Sequence, residues 1–221
     1  MVMSTSNRNL TVQYIDNFNG LPVMADKGPF IMEYLEKLRR VIGCSINDYP
    51  RLMAFRVDLR LPNREGLPEL YSSNKVISRF FDSFKAKIES DRHRARMRSS
   101  SAHDTKVRYF WVREASSTGV QHYHLLILLN KDAYHVVGKL GSDNMNMVRR
   151  LEEAWASALG LQLHEISGLV EFPDNSLWWL HQNDAGFAED LSSLFHRASY
   201  LCKAATKKYG QRHHGVGSSR G

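Results

Sequence analysis

The stretch KVRYFWVREASSTGVQHYHLLILLN, residues 106–130, decides the fold prediction. Two apolar runs flank the segment SSTGVQ, whose Ser, Thr and Gly residues are typical of turns, so the stretch predicts an antiparallel β-hairpin. Side chains at i and i+2 of a strand point to the same face, so we expect His122 and His124 side by side and Tyr123 on the opposite face. The hairpin would place Glu114 of the first strand next to the two imidazoles.

The segments around the hairpin alternate between helical and extended patterns. Helices are predicted over residues 29–42, 74–98, 142–160 and 184–210, and further strands over 51–62 and 168–180. In the strand over 51–62, alternation predicts one buried face and one polar face. Helices and strands follow one another without the regular alternation of a parallel doubly wound fold. The order predicts an α+β fold, with an antiparallel sheet of about five strands and flanking helices.

Composition predicts a single domain, to which we assign three regions. The chain has 221 residues, and a hydrophobic content of 43% is ordinary for a globular core. We assign residues 1–45 to an N-terminal arm and helix that pack on the core, 46–210 to the main domain and 211–221 to a flexible basic tail.

The net charge and the number of cysteines indicate the type of binding partner and the cellular compartment. The formal charge of +7 favours a polyanionic partner, although many soluble proteins with this charge bind no nucleic acid. Only two cysteines occur and neither has a neighbour at metal or redox spacing, which indicates a reducing compartment. The start shows no apolar signal core, and the run LLILLN is too short to span a bilayer. We expect a cytoplasmic protein without a membrane partner.

His122, His124 and Glu114 form a candidate metal site. Two imidazoles and one carboxylate suit an octahedral divalent ion such as Mg²⁺ or Mn²⁺, which can also hold a phosphate oxygen. The alternatives are a structural or surface pair of strand histidines and a solvated glutamate at a strand end.

Tyr200 and Lys203 lie three residues apart in the last predicted helix, so the phenol and the ammonium are expected on one face. A tyrosine with a pKa near 10 is a weak nucleophile that needs a metal to polarise its target. The alternatives are a core tyrosine and a solvated helix lysine.

Basic and aromatic side chains provide candidate nucleic-acid contacts. A helix with alternating arginines can follow a phosphate backbone, although a solvated helix end has the same pattern. The candidate phosphate contacts are Arg92, Arg94, Arg96, Arg98, Lys207 and Lys208. Trp111, Trp178 and Trp179 are candidates for base stacking, with burial in the core as the alternative.

Several of these motifs together resemble one superfamily. HYHLLIL, from His122, resembles the histidine-hydrophobic-histidine motif of the HUH endonucleases, and YLCK, from Tyr200, resembles their Tyr-x-x-Lys motif. MAFRVDLRLP, residues 53–62, is similar to their first motif but has charges where the usual version has threonines. Glu114 matches the third metal ligand of many viral replication initiators. Within the superfamily, RASYLCKAATKK after WWLH most resembles the replication proteins of inoviruses and the related YfjJ-like proteins.

The resemblance, over about residues 50–210, implies a site-specific nickase of single-stranded DNA on an RNA-recognition-like core. In that function His122, His124 and Glu114 hold Mg²⁺ or Mn²⁺, Tyr200 attacks the phosphate to give a 5′-phosphotyrosine and a free 3′-OH, and Lys203 stabilises charge. The implied role is initiation of rolling-circle replication at single-stranded or hairpin DNA of an origin of a phage, plasmid or mobile island. No Walker motif occurs, so a host helicase and polymerase are the expected partners.

One departure from the family concerns the number of tyrosines. Initiators with two tyrosines carry the second one helical turn before the first, where this chain has His196. Tyr209 lies too far along the predicted helix to share the face of Tyr200 easily, so a single-tyrosine enzyme is expected.

Two other functions stay open. A non-catalytic protein that binds an origin or hairpin on the same fold would be marked by loss of Tyr200 or of a histidine, and neither is lost. A scaffold with a basic surface would bind no metal through His122 and His124.

Overall fold

The computed structural model describes residues 2–3, 10–62, 71, 73–115, 120–138, 145–205 and 215–220. Within these ranges the α-helices are α1 (Met32–Asp48), α2 (Lys75–Arg98), α3 (Met147–Leu159) and α4 (Phe187–Ser199). The strands are β1 (Val2–Met3), β2 (Val12–Gln13), β3 (Asn17–Phe18), β4 (Leu21–Pro22), β5 (Phe30–Ile31), β6 (Arg51–Arg60), β7 (Arg108–Ala115), β8 (Gln121–Asn130), β9 (Val170–Glu171), β10 (Leu177–His181) and β11 (Val216–Ser218). Short 3₁₀ turns occupy Ala25–Lys27, Leu163–Ile166 and Tyr200–Cys202.

A six-stranded antiparallel sheet forms the centre of the structure. Its strands lie in the order β10-β6-β8-β7-β11, and β9 pairs with the far end of β6. The hairpin of β7 and β8 is present, with Glu114 opposite His122. The predicted antiparallel sheet with flanking helices is therefore confirmed, with six strands instead of about five.

Helices cover both faces of this sheet. Tyr123, Leu125 and Ile127 of β8 pack into one core with apolar residues of α2 and α3. Leu126 and Leu128 point the other way, into a second core with residues of α1 and α4. The histidines share the α1/α4 face with Leu126, because side chains two residues apart in a strand lie on one side. We call this side the α1/α4 face.

Strand β6 differs from its prediction of a single buried face. Its alternate residues contribute to both cores, and Arg56 on the α1/α4 face is only 6% exposed. A pattern of alternating charge normally indicates a solvent-facing side. Here α4 and the turn after it cover that side, so two charged residues of β6, Arg56 and Asp58, lie inside the protein.

The C-terminal end of α1 and the N-terminal end of α3 differ from the prediction. α1 continues through Gly43 to Asp48, because Ser45 is buried and its hydroxyl donates to the Val41 carbonyl oxygen within the helix. α3 begins after Asn146, whose side chain accepts from the backbone N–H of Arg149. Its end at Gly160, with φ of 69°, agrees with the prediction. Ser142, where the helix was predicted to begin, lies outside the described residues.

The long helix predicted over 184–210 is wrong for the described residues that follow Ser199. α4 ends at Ser199 and continues as one 3₁₀ turn, after which Lys203 forms a β-bridge with Phe30. The backbone N–H of Ala204 then donates to the carbonyl oxygen of Pro29. These bonds to the N-terminal arm replace the next helical turn. Tyr209 lies outside the described residues.

The predicted flexible tail over 211–221 contains a strand. Val216–Ser218 pairs with β7, and the register places Gly217 opposite Trp111. A Cβ at Gly217 would lie 2.5 Å from the Trp111 ring, so the indole covers the glycine directly. Backbone pairing with an edge strand needs no apolar side chains, which is why composition did not indicate this strand.

None of the described helices combines the length and the apolar character needed to cross a bilayer.

A buried ionic network joins α2 to α3 and to the chain after β8. The Asp91 carboxylate accepts from the Tyr134 hydroxyl at 2.6 Å and lies 2.6 Å from guanidinium nitrogens of both Arg92 and Arg150. Burial opposes ionisation of Asp91, but the hydrogen bonds and the two arginine charges outweigh it and lower its pKa to about 2. The ionised form of Asp91 therefore stabilises the fold.

We expect Asp91→Asn to lower the free energy of unfolding by roughly 2 kcal/mol at neutral pH, as the shift of this pKa implies. In the parent this contribution is complete above the unfolded-state pKa near 4 and is lost as the pH falls toward about 2. Urea unfolding at several pH values measures it. Asp82→Asn, an exposed position on the same helix, is the control. Equal stability of the Asp91 and Asp82 variants at neutral pH would show that the network contributes nothing.

Candidate metal centre

His122, His124 and Glu114 come together at one end of the sheet. Strands β7 and β8 place Glu114 opposite His122, and one ligand atom from each of the three residues lies within 4.8 Å of the others. The Nε2 atoms of the two imidazoles are 3.1 Å apart, and Nε2 of His124 is 3.5 Å from a Glu114 carboxylate oxygen. Both nitrogens therefore face one point.

The donor set fits a divalent ion. Two ligands about 2.1 Å from an ion and at right angles to each other are about 3.0 Å apart. The separation of 3.1 Å between the imidazole nitrogens agrees with this value. His124 and Glu114 are 9% and 4% exposed, so a bound ion would be shielded from bulk water on the protein side.

Asp58 of β6 contacts His124 on the side away from Glu114 and His122. The register places Asp58 opposite His124, and its carboxylate oxygen lies 2.7 Å from Nδ1 of the imidazole. A proton on Nδ1 leaves Nε2 free to face Glu114 and His122. Sequence analysis missed this residue, and its only signal was a charge inside an apolar strand.

The two histidines differ in their electrostatics. Burial disfavours the charged form of His124, but its contacts with Asp58 and Glu114 outweigh burial and raise its pKa above the ordinary value. Burial, together with the neighbouring charge of His124, lowers the pKa of His122. Without an ion, a proton added to the pair therefore binds His124 before His122.

Tyr200 and Lys203 lie at the edge of the cluster. The Tyr200 ring centroid is 6.5 Å from that of His124. The Lys203 ammonium lies 3.7 Å from a Glu114 carboxylate oxygen and 3.7 Å from the Tyr200 ring centroid. The structure therefore brings together all five residues that the sequence assigned to metal binding and catalysis.

The N-terminal arm fixes the turn that carries Tyr200 and Lys203. The backbone N–H of Met24 donates to the Ser199 hydroxyl at 3.0 Å, and Phe30 pairs with Lys203. These contacts span more than a hundred residues of sequence, so local patterns do not reveal them.

The arginines predicted to contact DNA lie elsewhere. They follow one another near the end of α2, on the opposite face of the sheet and beside the distal end of β8. At about 3.4 Å per residue, Asn130 at that end of β8 is about 27 Å from His122. Arg92 and Arg94 pair with Asp91, and Arg96 pairs with Glu89 and Asp104. Arg94, Arg96 and Arg98 are exposed. Lys207 and Lys208 lie outside the described residues.

The tryptophans proposed for stacking divide between core and surface. Trp111 is 8% exposed and packs edge-on against Tyr123, so it is a core residue. Trp178 is half-buried against the α1/α4 core. Trp179 is 46% exposed, and its indole N–H donates to the His135 carbonyl oxygen.

We expect Asp58→Asn to weaken Mn²⁺ binding by about 10–100-fold, because the partner that orients a metal-binding histidine contributes this much in other sites. Titration calorimetry with Mn²⁺ measures the loss. Asp48→Asn is the matched control, since Asp48 is also a half-buried carboxylate in ion pairs but binds Arg108 at the other end of the sheet. Parental Mn²⁺ affinity in the Asp58 variant would show that this carboxylate does not orient His124.

Comparison with known proteins identifies one protein family and two similar proteins. The family model described as the YagK/YfjJ C-terminal domain matches residues 14–219. Two Escherichia coli K12 proteins described as uncharacterized are similar over most of their length. YagK is 35% identical over 87% of this chain and 95% of its own, and YfjJ is 33% identical over 88% and 97%. No solved structure matches the chain significantly. The chain therefore belongs to the YagK/YfjJ C-terminal domain family.

Proposed function

We propose that this protein is a metal-dependent, site-specific endonuclease of the HUH type that nicks single-stranded DNA. One observation carries the proposal. Tyr200 and Lys203 lie directly beside a buried cluster of two histidines and one glutamate, at the distances given above. A nucleophile next to a divalent-ion site is the arrangement that phosphoryl transfer to a tyrosine requires.

The fold gives further support. The two histidines lie on β8, a central strand between β6 and β7, and the tyrosine follows a helix that packs on the same face. HUH endonucleases, which the sequence resembles, combine a histidine strand and a tyrosine helix on an RNA-recognition-like sheet. We therefore assign residues 46–210 to such a domain, with the N-terminal arm as the element that holds the tyrosine turn.

Three residues would hold the metal and two would act on the DNA. A Mg²⁺ or Mn²⁺ ion at His122, His124 and Glu114 would polarise the scissile phosphate and offset its charge. The Tyr200 oxygen forms a bond to phosphorus as the bond from phosphorus to the 3′ oxygen breaks. The phenol proton passes to solvent, and the departing oxygen takes up a proton to become a free 3′-OH. The Lys203 ammonium stabilises the negative charge that develops beside the ring.

The covalent product defines the biological role. A 5′-phosphotyrosine keeps the energy of the broken bond, so strand rejoining needs no nucleotide cofactor. We propose initiation of rolling-circle replication in the cytoplasm, at single-stranded or hairpin DNA of an origin of a phage, plasmid or mobile island. A host helicase and polymerase would extend the free 3′-OH, since the sequence carries no Walker motif.

Strand cleavage tests the proposal. Labelled single-stranded oligonucleotides that tile both strands of the DNA flanking the gene are incubated with the protein in Mn²⁺, in Mg²⁺ and in EDTA. We expect a shortened product with a 3′-OH at one position, formed with either metal and absent in EDTA. Binding to one oligonucleotide without cleavage in either metal would favour the alternative, a non-catalytic origin-binding protein on the same fold.

A further inference from the structure

Arg56 lies in the interior beside the candidate nucleophile, and the proposed chemistry does not use it. Its side chain is 7% exposed, and its Cζ is 5.5 Å from the Tyr200 ring centroid. The nearest carboxylate oxygen, of Asp58, is 3.8 Å away and is closer to His124, at 2.7 Å. Among the described residues, the buried Nε of Arg56 has no hydrogen-bond partner. A buried charge with unused donors is unfavourable unless something else pairs with it.

A second guanidinium, that of Arg197, contacts the same loop as Arg56. Arg197 is in the last turn of α4, and its Nε is also buried without a partner in the described part of the chain. Burial lowers the pKa of Arg56 and outweighs the opposing attraction of Asp58, and the positive charge of Arg197 acts in the same direction as burial. Two like charges with unused donors would both be stabilised by one anion between them.

Both arginines border the loop that joins β9 to β10. The backbone N–H of Arg56 donates to the Ser176 carbonyl oxygen, and the Arg197 guanidinium donates to the carbonyl oxygen of Asp174. Arg56 lies on β6, next to β10, whereas the histidines lie on β8 and Glu114 lies on β7. The Tyr200 ring centroid is 5.5 Å from Cζ of Arg56 and 6.5 Å from the His124 ring centroid, so Tyr200 is close to both Arg56 and the metal cluster.

We propose that Arg56 and Arg197 form a phosphate-binding subsite beside Tyr200, and that it holds a backbone phosphate of single-stranded DNA. The choice of DNA as the ligand rests on the proposed function. A guanidinium offers two parallel donors that match phosphate oxygens. A strand bound both here and at the metal cluster passes the phenol, so the subsite positions the scissile phosphate for attack.

The test measures DNA binding without metal, so it does not depend on cleavage. Anisotropy of a short fluorescein-labelled single-stranded oligonucleotide of mixed sequence is recorded in EDTA between about 50 and about 200 mM salt. We expect Arg56→Met to bind about tenfold more weakly and to lower the salt slope by roughly 0.7, the value for one lost phosphate contact on a single strand. Arg56→Lys should keep the salt slope, because lysine keeps the positive charge. It should lose some affinity, but less than Arg56→Met, because lysine lacks the two parallel donors of a guanidinium.

Stability separates a binding role from a structural one. Because Arg56 is buried with unused donors, an apolar side chain of similar length should not lower the Tm of the protein, and Arg56→Met is expected to unfold at the parental temperature or above it. Arg39→Gln removes the same charge from an exposed position on α1 that pairs with Glu36, so it should leave both the affinity and the slope unchanged.

Parental affinity and slope in Arg56→Met would overturn the subsite, and so would an equal loss in Arg39→Gln. If Arg56→Met does not fold, Arg197→Gln carries the test, and parental DNA binding by that variant would overturn the subsite. If Arg56→Met lowers the salt slope but the parent nicks no DNA, the subsite is supported and the proposed nickase activity is contradicted. If the parent nicks DNA but Arg56→Met binds DNA as the parent does, the nickase activity is supported and the subsite is overturned.

Discussion

Tyr200→Phe should abolish strand cleavage, with a fall in rate on the order of 10³-fold or more, the loss seen when an enzyme's nucleophile is removed. The substitution deletes one oxygen and keeps the ring that contacts Lys203 and Arg56. The fold, the metal ligands and the basic groups remain, so affinity for single-stranded DNA should stay near that of the parent. Cleavage of a labelled oligonucleotide in Mn²⁺ and anisotropy in EDTA measure the two properties.

Tyr14→Phe is the matched control, because Tyr14 is 54% exposed and loses the same atom. It should cleave at the parental rate. If Tyr200→Phe also cleaves at that rate, another residue is the nucleophile, and Tyr209 is the first to examine.

His122→Ala should remove both metal binding and cleavage. The substitution deletes one of the three proposed ligands. Loss of a residue that only orients a ligand lowers metal affinity by about 10–100-fold. Loss of the ligand itself should cost more, so we expect Mn²⁺ to bind more than about 100-fold more weakly. Cleavage should fall with it, because the remaining two ligands no longer fix the ion. Calorimetry with Mn²⁺ and the cleavage assay follow the two effects.

His164→Ala, in an exposed 3₁₀ turn, is the control for removal of an imidazole. Its Mn²⁺ affinity should equal that of the parent. Equal Mn²⁺ affinity in the His122 variant would place the ion elsewhere than at this cluster.

The hairpin and its histidines could be predicted because their determinants are local. Turn residues, the two-residue strand period and the apolar run of β8 all lie within 25 residues. Two side chains at i and i+2 share a face in any strand, so the pairing of His122 with His124 needed no knowledge of the rest of the fold. Glu114 followed from the hairpin register.

The position of Tyr200 depends on distant residues. The pattern from 184 onward is helical, and nothing in it indicates that the helix stops at Ser199. The stop comes from pairing with Phe30 and from the bond of Met24 to Ser199, which join segments about 170 residues apart in the chain. Contacts between segments this far apart leave no periodic signal in a single sequence.

The charged residues of β6 were misread for the same physical reason. Alternation of Arg56, Asp58 and Arg60 with apolar residues predicts a solvent-facing side. α4 and the following turn cover Arg56 and Asp58, while Arg60 remains exposed and pairs with Glu171. Charges inside an otherwise apolar strand were the one available signal of a polar interior.

Covalent trapping tests the central claim most directly. The parent is incubated with its cleaved oligonucleotide and Mn²⁺, digested with nuclease and trypsin, and examined by mass spectrometry. Trypsin separates the two candidate tyrosines, since Tyr200 falls in the peptide of residues 198–203 and Tyr209 in that of 209–212. We expect a nucleotide linked through its 5′ phosphate to the phenol oxygen in the peptide 198–203. A cleaved oligonucleotide with no adduct on this peptide, or with the adduct on the peptide 209–212, would contradict the assignment of Tyr200 as the nucleophile beside the metal centre.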